Sequence, residues 1–104
     1  MEQAQELTVT NIYKITYPNG KIYVGVDHLD QITYFGSVDP KVVAEDFTSE
    51  DRRDFTVRKQ LLWESEEATR EEARAVELEW IRRLGSNNPD VGYNRWPKWT
   101  ATQA

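Results

Sequence analysis

Cysteine is absent from this chain, and histidine occurs once, as His28. The first absence excludes a disulfide framework and a thiolate zinc site. The second excludes a histidine cluster or a histidine pair as a metal cage. No apolar run approaches the ~20 residues that a membrane-spanning helix requires. Residues 1–6 are polar and acidic, unlike a signal or transit peptide, so the cytoplasm is the expected compartment and no membrane partner is expected. An excess of positive charge is missing as well. The net charge of −5 argues against broad, charge-driven coating of nucleic acid. Internal repeats and low-complexity segments are also lacking.

At 104 residues the chain has room for one core, burying roughly two-thirds of its unfolded surface. Its charge is unevenly distributed. From Trp80 onward Arg82, Arg83, Arg95 and Lys98 face one acid, Asp90, while the acids gather between Asp39 and Glu79. A modest basic face on an acidic protein fits weak or transient contact with nucleic acid.

The most informative stretch begins at Asn11. Residues 11–17 and 21–26 are rich in β-branched and aromatic side chains, and Pro18-Asn19-Gly20 joins them. Proline presets one turn dihedral, and asparagine and glycine tolerate positive φ, so the segment predicts a hairpin. With a three-residue loop Tyr17 pairs with Lys21, Ile15 faces Tyr23 and Tyr13 faces Gly25. Alternation with period two then puts Tyr13 and Tyr23 on one face, diagonal to each other. Gly25 offers no side chain opposite Tyr13, leaving open space above the ring. Two phenols beside bare backbone make either a reactive surface or ordinary cross-strand aromatic packing.

A polar connector follows Val26. Then come a short extended piece, Thr33-Tyr34-Phe35, and a break at Gly36-Ser37. Asp39 as N-cap, Pro40 at the first helical position and apolar residues at helical spacing predict a short helix over residues 39–47. Phe55, Val57, Leu61 and Trp63 share one parity, interrupted by Lys59, and predict a third strand over 55–63; a helix is the alternative there. Thr69-Arg70-Glu71-Glu72 is a capping box. After it Ala73, Val76, Trp80, Ile81 and Leu84 recur on one helical face, and Gly85 is the natural stop.

At 3.6 residues per turn Glu77 falls inside that apolar arc, between Ala73 and Ile81, while Glu72 and Glu79 fall outside it. A carboxylate on the core-facing stripe costs free energy unless it is paired, hydrogen-bonded or bound to a cation. Glu77 is therefore a metal-ligand candidate, with a structural ion pair to a nearby arginine, or a place at the edge of the stripe reaching solvent, as the alternatives. Near the end, Arg95-Trp96-Pro97-Lys98-Trp99 interleaves cations and aromatics, a composition suited either to stacking on unpaired bases or to docking back on the domain.

Asn11-Ile12-Tyr13, Tyr23-Val24-Gly25, Tyr34-Phe35-Gly36-Ser37, a helical glutamate before Trp80-Ile81, and Gly92-Tyr93-Asn94 stand in one order. In that order and spacing the chain resembles the GIY-YIG nuclease family, over residues 11–94. The resemblance implies an α/β domain over residues 8–96, with a lead-in at 1–7 expected to be disordered and a tail at 97–104. Its fold would be a small, mostly antiparallel three-stranded sheet flanked by helices. The implied activity is hydrolysis of phosphodiester bonds in DNA, double- or single-stranded, with Mg²⁺ or Mn²⁺ as cofactor.

By the same resemblance Tyr13 is the base or base-positioner, Tyr23 its partner and Glu77 the metal ligand, three positions before Trp80. Asn94 is similar to a residue that positions the site, and family members often work with an additional targeting domain. One departure concerns charge. The family pattern places an arginine about eight residues beyond the second tripeptide, where this chain has Thr33. Arg53 is the expected replacement, with Arg52 and Lys41 as substrate-binding candidates and His28 as an alternative base. The other departure, Asn11 in place of glycine, falls at a strand end that accepts either. A catalytically degenerate domain kept for binding nucleic acid or a protein is the rival expectation.

Overall fold

The computed structural model describes residues 9–100; the lead-in expected at 1–7 lies outside them. Three strands, β1 (Thr10–Thr16), β2 (Ile22–Asp27) and β3 (Arg58–Ser65), form one antiparallel sheet in the order β2-β1-β3. Two helices, α1 (Pro40–Ala44) and α2 (Arg70–Leu84), complete the α/β domain. Among the described residues no helix is long and apolar enough to cross a membrane.

The hairpin has the expected register, with Ile15 opposite Tyr23 and Tyr13 opposite Gly25. Its turn closes through Tyr17 N–H to the Lys21 carbonyl at 2.9 Å and Gly20 N–H to the Tyr17 carbonyl at 2.8 Å. Gly20 takes φ 89°, the left-handed conformation that such a turn demands. The capping box of α2 is present from both sides. Glu72 N–H donates to Thr69 Oγ1 at 3.0 Å, and Thr69 N–H donates to Glu72 Oε1 at 2.8 Å. Gly85 ends that helix in the left-handed region.

Several expectations need correction: the short helix expected over 39–47 spans only Pro40–Ala44, with Asp39 as its N-cap. The third strand starts at Arg58 rather than residue 55, and its pairing with β1 slips between Ile12 and Tyr13. Leu62 is the extra residue, and this bulge overturns the single parity drawn from Phe55 to Trp63. Leu62 and Trp63 both pack against the cluster of Ile12, Val24 and Ile81, while Leu61 is left 48% exposed. Phe55 lies before the strand and stacks edge-on against Phe47, 4.8 Å between centroids. The piece 33–35 is irregular rather than extended in a sheet. Asn11 is not an indifferent strand end either. It is buried, its Nδ2 donates to Asp30 Oδ1 at 2.9 Å, and its Oδ1 has no hydrogen-bond partner among the described residues.

The sheet separates two apolar clusters. On one face Ile12, Val24 and Val26 meet Ile81, Val76, Trp80 and Leu84 of α2. On the other, Tyr13, Ile15 and Tyr17 are covered by Tyr34 and Val38 of the connector and by Val43 and Phe47 from the α1 region. β1 runs between its two partners, so no strand of the sheet covers the outer edge of β2, where the candidate residues gather.

Candidate active site at the edge of the second strand

The free edge of β2 is closed by the segment after α2. Ile22 bridges Gly92 in parallel, with Ile22 N–H donating to the Val91 carbonyl at 3.1 Å and Tyr93 N–H to the Ile22 carbonyl at 2.8 Å. Two residues further on, a side chain takes over from the backbone. Asn94 Oδ1 accepts the Val24 N–H and Asn94 Nδ2 donates to the Val24 carbonyl, both at 2.8 Å. The amide thus replaces a neighbouring strand at one residue, directly beside Tyr23.

This arrangement borders a half-open cavity of about 260 Å³ lined by Tyr23, Glu77 and Asn94, with Arg74, Arg95 and Trp96 at its wall. By strand parity Tyr23 belongs to the face opposite α2, whose Glu77 comes from beneath the sheet; the two meet round the edge of β2. Three residues marked as site candidates from the sequence are therefore brought together.

Glu77 is 8% exposed, in line with Ala73 and Ile81 on the buried stripe of α2. Burial pushes its carboxyl above the usual range, and the Arg74 guanidinium partly opposes that shift. Arg74 Nη1 stands 3.5 Å from Glu77 Oε1, at the long limit of a hydrogen bond. The other carboxylate of the cavity, Asp39, is already engaged: Oδ1 accepts Lys41 N–H and Oδ2 accepts Arg95 Nη1, each at 2.9 Å. A buried carboxylate whose one ion pair among the described residues is long offers oxygen donors suited to a hard divalent cation, since Mg²⁺ takes one or two carboxylates and fills its other positions with water and phosphate oxygen. Glu77 fits such an ion. Among the described residues no group of three or more His, Cys, Asp or Glu gathers as a closed metal cage.

The two phenols differ in access. Tyr13 is 1% exposed and does not line the cavity. The space over Gly25, expected to be open, is filled by the Tyr13 ring itself. A Cβ on Gly25 would clash with the Tyr13 hydroxyl, and one on Gly36 would sit 2.5 Å from that hydroxyl and 2.7 Å from the Tyr23 ring. Two glycines thus form the slot that receives the phenol. Burial drives Tyr13 well above the ordinary phenol range, with the neighbouring phenols and the charges of Asp27 and Glu77 adding to it. Tyr23 is half-buried and also raised by burial, with Ser37 pulling the other way.

The remaining candidates lie elsewhere. Arg53 is exposed on the 3-10 turn Asp51–Arg53, 3.7 Å from Glu50, beside a groove that includes Pro18, Asp46 and Phe55. Arg52 borders a different, apolar hollow with Tyr17 and Phe47. Lys41 is exposed on α1, and His28 follows β2 in the connector; neither lines the cavity. The cations that do line it, Arg74 and Arg95, were not among the sequence candidates. Arg74 had a usable signal, being one helical turn before Glu77. Arg95 had its place next to Asn94 and its membership of the cation–aromatic segment 95–99.

No family model, curated protein or solved structure matches the chain.

Proposed function

We propose that this chain is a compact GIY-YIG-type endonuclease that hydrolyses phosphodiester bonds in DNA with the help of a divalent ion. One observation carries the reading: a phenol, a buried carboxylate, a fixed asparagine and two guanidinium groups line a single small cavity, those of Tyr23, Glu77, Asn94, Arg74 and Arg95.

Glu77 would hold Mg²⁺ or Mn²⁺, which when bound supplies Lewis-acid polarisation of the scissile phosphate. Arg74 and Arg95 bind the phosphate and offset the negative charge that grows on it in the transition state, a task suited to the planar guanidinium fork. Tyr23 orients the attacking water. A phenol raised above its ordinary range keeps its proton at neutral pH, so Tyr23 accepts a hydrogen bond from the water rather than acting as a free phenolate. Tyr13, buried and raised further, is a positioning residue: packed in the Gly25–Gly36 slot, it fixes the Tyr23 ring. Asn94 fixes the β2 edge. Specificity for a cleavage site would come from a separate targeting partner.

A second reading, a degenerate domain that binds nucleic acid or a protein without cutting, draws on the pairing of both arginines with cavity carboxylates, Arg74 with Glu77 and Arg95 with Asp39. Nicking of plasmid and single-stranded DNA with Mg²⁺ or Mn²⁺ separates the two. The nuclease reading expects cleavage that Glu77→Ala abolishes and that Tyr23→Phe slows by about 10²-fold or more. Cleavage surviving both substitutions defeats it. Absence of cleavage together with salt-sensitive DNA binding favours the second reading.

A further inference from the structure

Trp96 is the most exposed aromatic side chain of the domain, at 71%, yet it lies on the wall of the Glu77 cavity. Its exposure is not that of a loose tail. Arg95 is tied to Asp39 at 2.9 Å on one side. On the other, buried Asn87 donates through Nδ2 to the Pro97 carbonyl. Trp99, three residues on, takes the opposite course: half-buried, it lines a groove with Val42, Pro89 and Gly92. Of the two tryptophans in this segment, one docks and the other is held out beside two guanidinium groups.

We propose that Trp96 is a stacking platform for an unpaired base, so that the preferred ligand of this site is single-stranded DNA rather than intact duplex. The inference rests on the nuclease reading of the cavity. An indole face stacks on any base, whereas a base within a duplex has both faces covered. Arg74 and Arg95, with side chains 64% and 68% exposed, take the phosphate next to the stacked base. The cavity of about 260 Å³ takes the phosphate while the base stays outside on the indole.

The test is fluorescence anisotropy of the full chain, without divalent ions, against three labelled probes: a DNA single strand, its duplex, and the same strand with abasic sites. The expected result is tightest binding to the intact single strand. Trp96→Ala weakens that binding on the order of ten- to a hundredfold, Trp96→Phe retains most of it, and neither changes the duplex or abasic affinities. Equal binding of the single strand by wild type and Trp96→Ala overturns the inference. A uniform loss on all three probes overturns it too, since that marks a structural role, and so does failure to bind any probe. Cleavage assays keep the two readings apart. Trp96-dependent binding without Glu77-dependent cleavage sinks the nuclease but not the platform; Glu77-dependent cleavage with Trp96-independent binding does the reverse.

Discussion

Asn94 holds Val24 by both of its backbone polar groups, accepting the N–H and donating to the carbonyl at 2.8 Å each. A side chain thereby does at one residue what a fourth strand would do along its length. Val24 itself is fully buried, so the groups it would otherwise leave unpaired are costly. Asn94→Ala should lower stability by about 1–3 kcal/mol. Asn94→Asp should do no better, because it loses the donor and sets a carboxylate against the Val24 carbonyl. Urea melts of the two variants check this; a loss well below 1 kcal/mol for both would show that water replaces the amide freely.

The slot around Tyr13 gives a second, steric prediction. Gly25 has an ordinary strand conformation, so Gly25→Ala adds no backbone strain there, yet its methyl group meets the Tyr13 hydroxyl and, at 2.6 Å, the ring carbon that bears it. The cost should be about 1–3 kcal/mol, the usual range for overpacking. Adding Tyr13→Phe should recover only part of it, because the ring carbon remains. A double-mutant cycle reads the coupling directly. Full additivity of the two substitutions would mean that the ring does not occupy the slot.

Much of this could be read locally. The hairpin register follows from turn residues and period-two alternation, and the start and stop of α2 follow from Thr69, Glu72 and Gly85. Glu77 was legible because a helix converts sequence spacing into angle, and the angle put an acid on the buried stripe. What escaped depends on contacts distant in sequence. The Leu62 bulge is a property of the β1–β3 pairing, which neither strand encodes alone. Arg95 enters the cavity because Asp39, 56 residues away, holds its guanidinium. Arg52 and Arg53 are the first arginines in the chain after Thr33, but the 3-10 turn that carries them lies away from the cavity. The guanidinium groups at the cavity come instead from α2 and from the segment after it.

Tyr93 is one of four phenols, with Tyr13, Tyr17 and Tyr23, whose ionisation burial opposes. Its hydroxyl donates to Asp46 Oδ2 at 2.7 Å and accepts from Asn19 Nδ2 at 3.0 Å. Burial, with the Asp46 carboxylate second, pushes it up to about 12. In the unfolded chain the same phenol ionises near 10. Between those values the unfolded state releases a proton that the folded state keeps. The contribution is therefore complete below about pH 10 and is lost as pH rises toward 12. Tyr13, raised as well, acts in the same direction. Denaturant melts at rising pH should show stability falling above about pH 10, less steeply in Tyr93→Phe. An equal slope in the variant would remove Tyr93 from the account.

Lys59 looked from the sequence like a fault in an apolar strand, and its neighbours give it a purpose. Its ammonium donates to the Gln31 carbonyl at 3.0 Å and to the Tyr34 carbonyl at 2.7 Å. It also stands 5.0 Å from the centre of the Tyr13 ring and 5.7 Å from that of Phe35. One cation thus fastens the irregular connector to β3, and that connector carries Gly36, which forms half of the Tyr13 slot. Lys59→Met keeps the length of the side chain and removes all four contacts. It should cost about 1.5–3 kcal/mol, the range for hydrogen bonds to a charged group. Lys59→Arg should recover part of this through its own donors. Hydrogen exchange locates the effect: the Tyr34 N–H, bonded to the Gln31 carbonyl at 3.0 Å, should exchange faster in Lys59→Met, while the Ile12 and Val24 amides slow or quicken only with global stability. If the Tyr34 amide is unmoved relative to those two, the lysine does not hold the connector, and the Tyr13 slot depends on the glycines alone.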